Sequence, residues 1–186
     1  MTLDLQESPS HFADAYDELS ADGVTPRPHW AHLMESLRDI GPEELARRWN
    51  RAERRIRENG ITYNVYSDAL GAHRDWKIDI VPLLIPADEW RSIEAGIIQR
   101  AQLLSLLLED LYGQQELLTH GHFPAALLYG NPAFLRPLVG VHVPRQSYLH
   151  MLAVDLARSP DGQWWVLSDR AQAPSGSGYA LENRTI

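Results

Sequence analysis

Apolar positions along the chain change period several times, and each change marks an element. From His29 to Ile40, Trp30, Leu33, Met34 and Leu37 recur at the three- and four-residue steps of an amphipathic helix. Gly41-Pro42 ends that helix and places a proline at the start of the next. The second helix carries Glu43 and Glu44 in its first turn and runs to Asn59-Gly60, with acids at its positive end and a glycine at its close. Ile61 to Tyr66 and Trp76 to Val81 then alternate apolar and polar side chains, which predicts two strands around a polar loop, while Pro82 and Pro86 prevent a longer one. After Pro86 the helical period returns until about Tyr112, and Trp90, Ile93, Ile97, Leu104, Leu107, Leu108 and Leu111 form a wide apolar stripe expected to sit in the core. Gln114 to Thr119 predicts a short helix ending near Gly121, and Pro124 to Gly140 a series of proline-punctuated turns or short helices.

From Ser147 to Ala171 the period becomes two. Two apolar strands flank Ser159-Pro160-Asp161-Gly162, where proline sets φ and glycine supplies a positive one, so this segment is a β-hairpin. With a three-residue loop, Pro160 to Gly162, Ser159 pairs with Gln163 and Asp155 stands opposite Leu167. Asp169 is then diagonal to Asp155 on the same face, roughly 7 to 8 Å away, near enough for two carboxylates to share a divalent cation. A four-residue loop places the two acids on opposite faces, and either acid could equally be a polar strand end. Beyond the hairpin, Ser175-Gly176-Ser177-Gly178 precedes a helix start. Such a loop can turn backbone N–H groups towards an anion or act as a flexible linker, and Glu182, Asn183 and Arg184 just after it can meet phosphate or solvent.

Charge and composition narrow the function classes. A net charge of -8 argues against general affinity for nucleic acid or an anionic membrane, and the basic residues between Arg47 and Arg57 alternate with glutamates as on a solvated helix face. The absence of cysteine excludes disulfides, thiolate metal sites and cysteine nucleophiles. The first residues lack a basic leader and an apolar core, and the longest apolar run, Ala101 to Leu108, is interrupted by Gln102 and Ser105. A cytoplasmic location is therefore expected. His29 with His32, and His120 with His122, have no third ligand in view, and Ser20, Ser92 and Ser105 lack the context of a nucleophile. The expected organisation is a loosely ordered arm over residues 1–25, a helical region with a strand pair over 26–146, and the hairpin, glycine loop and helix start over 147–186, ending partway through a supersecondary unit.

Several strings, "FADAYDELSADGVTPRPHW", "IPADEW", "LLSLLLEDLYG", "GNPAFLRP" and above all "VLSDRAQAPSGSGYALENR", resemble the circularly permuted ATP-grasp type 2 proteins, whose ligase domain is similar to that of glutathionylspermidine synthase. The resemblance covers nearly the whole chain. It implies an α+β fold, N-terminal helices packed on a mixed or antiparallel sheet, and an ATP- and Mg²⁺-dependent ligase that activates a carboxylate and transfers it to an amine. By the same resemblance Asp155 and Asp169 are the metal-binding acids, Ser175, Gly176, Ser177, Gly178 and Arg170 lie at the nucleotide, and Arg184 is a catalytic cation. The remaining ATP-gripping residues would lie beyond Ile186, so this portion is expected to be inactive alone. Related sequences often read Glu-Asp-Asn where this chain has Ser168-Asp169-Arg170. That departure also allows a catalytically silent nucleotide-binding or scaffolding module working with a partner protein.

Overall fold

The computed structural model describes residues 15–64, 73–144 and 148–186. Residues 1–14 of the expected arm, 65–72 in the expected first strand and polar loop, and Ser147 at the expected hairpin start lie outside the described residues. In chain order the elements are α1 (Pro28–Ile40), α2 (Pro42–Glu58), β1 (Thr62–Asn64), β2 (His73–Asp75), α3 (Ala87–Tyr112), α4 (Glu116–Thr119), α5 (Ala125–Tyr129), β3 (Ala153–Arg158), β4 (Trp164–Arg170) and α6 (Ser177–Thr185). The class is α+β, as expected, with the described strands arranged as two separate two-stranded ribbons. The chain divides into two compact units. One holds Met1–Pro86, Arg158–Gln163 and Gly176–Ile186, and the other holds Ala87–Ala157 and Trp164–Ser175.

In the first unit, α1 and α2 both begin with proline and are separated by Gly41 alone, whose φ of 75° closes one helix and opens the next. Trp30, Met34 and Ile56 are buried between them. Residues 15–25, the described part of the expected loose arm, close into a turn with Pro26 and Arg27. Asp17 accepts hydrogen bonds from the backbone N–H groups of Leu19 and Ser20, Asp22 accepts from those of Val24 and Thr25, and the Arg27 N–H donates to the Leu19 carbonyl. These short-range bonds hold the turn without needing an apolar core.

The strand expected over Trp76 to Val81 does not form. The pairing runs Thr62 to Asp75, Tyr63 to Arg74 and Asn64 to His73, so β1 lies within the strand expected over Ile61 to Tyr66 while its partner β2 falls in the stretch expected to be loop. β1 cannot start earlier, because Gly60 closes α2 at φ 64° immediately before it. Trp76 donates its backbone N–H to the Ile61 carbonyl, and among the described residues no strand pairs with those that follow. The Trp76 side chain stacks instead on Tyr179 of α6, 4.3 Å between centroids, and its indole N–H donates to Asn183.

In the second unit α3 is the long element. Of its expected stripe, Ile93 and Leu111 are buried, Ile97, Leu104, Leu107 and Leu108 are half-buried and Trp90 is exposed, while Ile98, Leu103 and Leu106, about half exposed or more, lie off it. Short elements pack on it. Asp110 receives the N–H groups of Glu116 and Leu117, which start α4. Tyr112, Phe134 and Tyr129 form an aromatic row beside α5, and the Tyr112 hydroxyl accepts the Leu135 N–H. Among the described residues no helix is long and apolar enough to cross a membrane.

The hairpin has the three-residue loop. Ser159 N–H donates to the Gln163 carbonyl at 2.9 Å, Gly162 N–H donates to Ser159, and Gly162 sits at φ 86°. Asp161 caps the turn by accepting from the Gln163 N–H and the Ser159 hydroxyl.

Candidate functional site

The hairpin turn forms with the expected pairing, yet the two acids do not end on one face. Along β4, Trp164 and Val166 are half-buried while Trp165 and Leu167 are exposed. The alternation then slips. Leu167 and Ser168 are both exposed, Asp169 is half-buried and Arg170 is exposed again. The side-chain contacts fix the facing: Asp155 meets both Ser168 and Arg170, so these three share a face, and Asp169, between the last two in sequence, points to the other. The expectation that Asp155 and Asp169 share a face is thereby corrected: the turn is the expected one, yet the facing at this end of β4 is one residue out of the register that the turn implies.

Asp155 consequently meets the residues on either side of Asp169 in sequence. It accepts the Ser168 hydroxyl and a forked contact from Arg170, whose Nε lies 3.0 Å from Oδ2 and whose Nη2 lies 3.0 and 2.8 Å from the two carboxylate oxygens. Asp169 is held by Arg100 of α3. Arg100 Nε lies 2.7 and 2.9 Å from its two oxygens and Nη2 lies 2.6 Å from Oδ2. Both are geometries in which one planar guanidinium satisfies one carboxylate. The Ser168 hydroxyl and then Arg170 hold the Asp155 carboxyl below its ordinary range, Arg100 does the same for Asp169, and the Asp169 carboxylate in return raises Arg100.

This donor set does not fit a magnesium ion shared by Asp155 and Asp169. Mg²⁺ requires oxygen ligands converging in a tight octahedron. Here the two carboxylates occupy opposite faces, each is already matched by a guanidinium, and among the described residues no group of three or more His, Cys, Asp or Glu side chains could hold a metal ion. Arg100 is the residue that the sequence pattern does not reveal. It stands within the apolar stripe of α3, three residues after Ile97 and four before Leu104, as a charged break in it, and nothing in helical periodicity names a partner 69 positions away.

The glycine loop is shorter than expected. Gly176, at φ 111°, is the N-cap of α6, so Ser177 and Gly178 already lie in the helix's first turn. Ser175 precedes this cap and belongs to the second unit, whereas Gly176, Ser177, Gly178 and Arg184 belong to the first. No side chain caps the α6 N-terminus. Glu182 and Asn183, which could have faced phosphate or solvent, are used inside the first unit, where Glu182 accepts from Asn59 and Asn183 from Trp76. Tyr179 anchors the same helix by donating its hydroxyl to the Thr62 carbonyl at 2.8 Å. Arg184 is exposed near the end of α6. His120 Nδ1 lies 2.9 Å from the Glu116 carbonyl, and the His120 and His122 rings are 6.3 Å apart.

Known proteins share this stretch of chain. The model of the circularly permuted ATP-grasp type 2 family matches residues 82–186, which include α3, the hairpin and α6. An uncharacterised protein of Mycobacterium tuberculosis is 37% identical over 196 residues, covering 99% of this chain and 21% of its own length. An uncharacterised protein of Synechocystis is 36% identical over 171 residues, covering 92% of this chain and 36% of its own. A second uncharacterised protein of Mycobacterium tuberculosis is 35% identical over 174 residues, covering 93% of this chain and 31% of its own. The chain thus spans between 21% and 36% of the length of these relatives. It belongs to the circularly permuted ATP-grasp type 2 family.

Proposed function

We propose that the chain supplies the N-terminal part of an ATP-dependent ligase that joins a small carboxylate to an amine, and that it has no turnover alone. The observation that carries this reading is the family match over 82–186, because that stretch includes every residue proposed for the site: Asp155, Asp169, Arg170, Ser175, Gly176, Ser177, Gly178 and Arg184. ATP is the proposed nucleotide. Carboxylate activation by ATP places negative charge on the transferred phosphoryl group, and fixed cations together with backbone N–H donors are the means of stabilising it.

Within that reading the residues have distinct tasks. Arg170 and Arg100 supply guanidinium donors, Asp155 and Asp169 hold those guanidiniums in place, and Ser168 fixes the orientation of the Asp155 carboxylate. Ser175 to Gly178, with the uncapped N-terminus of α6, would offer backbone N–H groups to phosphate, and Arg184 a further cation. Magnesium is part of what the family resemblance implies, but the hairpin acids do not fit it and no step runs through it.

The test is calorimetric titration of the intact gene product with ATP, followed by measurement of ADP release with mixed carboxylates and amines. ATP binding with ADP release dependent on both substrates supports the ligase. Absence of ATP binding refutes the reading. Binding without any ADP release favours the second reading, a catalytically silent nucleotide-binding or scaffolding module, for which the one-to-one matching of acids by arginines is the specific observation. Ligation by the 186-residue chain alone would refute the claim that it is inactive by itself.

A further inference from the structure

Acids that hold a divalent cation leave a local excess of negative charge for it to neutralise. This hairpin has none. Asp155 is matched by Arg170, with their side chains 40% and 55% exposed, and Asp169 by Arg100, at 21% and 43%. The two pairs carry no net charge, and bringing in a dication would require displacing a forked guanidinium from each acid. The facing separates the acids further, with Asp155 on the Ser168 and Arg170 side of β4 and Asp169 on the side of Arg100.

We propose that arginine takes the place of the metal in this protein: the hairpin is a cation-independent site in which Arg170, beside Asp155, meets the phosphate chain of a nucleotide directly, while Arg100 occupies Asp169 on the opposite face. The nucleotide part rests on the function proposed above, while the exclusion of metal stands on the hairpin alone. Arg170 spends Nε and Nη2 on Asp155, and Arg100 spends Nε and Nη2 on Asp169. In each case Nη1 remains as a donor on a side chain that is about half exposed. A carboxylate behind and a phosphate in front is a stable arrangement for a guanidinium, because the carboxylate orients the fork without consuming all five donors. Ser168 completes the arrangement. Its hydroxyl donates to Asp155, so a neutral side chain stands there and adds no charge that would call for a second cation.

Two measurements test this separately. The first follows Mn²⁺, as a probe for a divalent site, by electron paramagnetic resonance with the wild-type chain, the Asp155→Asn variant and the Ser168→Glu/Arg170→Asn double variant, whose two new oxygen ligands stand on the face of Asp155. The wild type is expected to bind no Mn²⁺ that Asp155→Asn removes, and the double variant to gain a site. Mn²⁺ binding by the wild type that Asp155→Asn abolishes would overturn the proposal, and so would a double variant that folds by circular dichroism yet gains no site. The second titrates the intact protein with ATP in Mg²⁺ and in EDTA. Affinity is expected to change by less than about threefold between the two buffers and to fall about tenfold or more in Arg170→Gln, the loss of a charge-assisted contact. ATP binding that appears only with Mg²⁺ overturns the proposal. No binding in either buffer removes the proposed function and the nucleotide part of this inference with it, while the Mn²⁺ comparison still decides whether the arginines exclude metal.

Discussion

Replacing Gly162 by alanine should destabilise the first unit for two separable reasons. Gly162 closes the hairpin turn at φ 86°, and a Cβ placed there would lie 2.9 Å from Cε2 of Tyr16. The Tyr16 ring has little room to withdraw, because the guanidinium carbons of Arg27 and Arg158 lie 4.4 and 4.5 Å from its centroid. The left-handed backbone costs an alanine about 1–2 kcal/mol, and crowding a packed contact adds about 1–2 kcal/mol. The expected total of about 2–4 kcal/mol corresponds to a fall in melting temperature of roughly 4–16 °C for a chain of this size. Gly60 is the control. It has φ 64°, and a Cβ placed there would meet nothing within 4 Å, so Gly60→Ala should show the backbone cost alone. In a Tyr16→Ala background Gly162→Ala should likewise cost only about 1–2 kcal/mol, giving a coupling of about 1–2 kcal/mol between the two positions. Urea melts of the four proteins of that cycle measure it. If Gly162→Ala costs no more than Gly60→Ala, or costs the same with and without Tyr16, the packing of the hairpin tip on Tyr16 is wrong.

Two further outcomes follow from the geometry. Leu111 is 8% exposed, so Leu111→Ala should cost about 2–4 kcal/mol in a urea melt. Leu106 is 62% exposed, so Leu106→Ala should stay within about 0.5 kcal/mol, and equal losses would mean that α3 packs through a different face. Acid unfolding should depend on the arginine-matched acids. The folded form holds Asp155 and Asp169 below their ordinary range, so their stabilisation is complete above the unfolded carboxylate value of about 4 and is lost as pH falls below it. The urea midpoint measured from pH 6 to pH 2 should drop most steeply below about pH 4, and less steeply in Asp155→Asn/Asp169→Asn. An unchanged slope in that variant would remove both acids from the account.

How much of this fold is legible in the sequence follows from how local its causes are. Gly41-Pro42, Asn59-Gly60, Pro86 and Ser159 to Gly162 are punctuation that acts within a few residues, and α1, α2, α3 and the hairpin turn fall close to where that punctuation sets them. The strand expected at Trp76 to Val81 is absent because alternation describes what a segment could do if a neighbour were available, and β1 ends its supply of partners at Ile61. The apolar stripe of α3 is present on the helix its spacing predicts. Its burial depends on what packs against it, and the second unit brings only short elements to that task.

The site is less legible than the fold because a shift of a single residue intervenes. Pairing at the turn determines facing along a hairpin only while both strands advance together, and the contacts of Asp155 with Ser168 and Arg170 are one residue out of step with the pairing of Ser159 and Gln163. No local signal marks that change of step, since Val166, Leu167 and Ser168 are ordinary strand residues. What could have pointed to it is charge. With Arg170 adjacent to Asp169 in sequence, a hairpin that set both acids on one face would turn Arg170 to the other, leaving two close carboxylates facing each other without a cation. The observed facing gives each carboxylate its own guanidinium, Arg170 for Asp155 and Arg100 for Asp169. Ser168 and Arg170 are therefore part of one arrangement with the slip in register: a strand with a glutamate at Ser168 would place a second acid beside Asp155, and Arg170 could not match both.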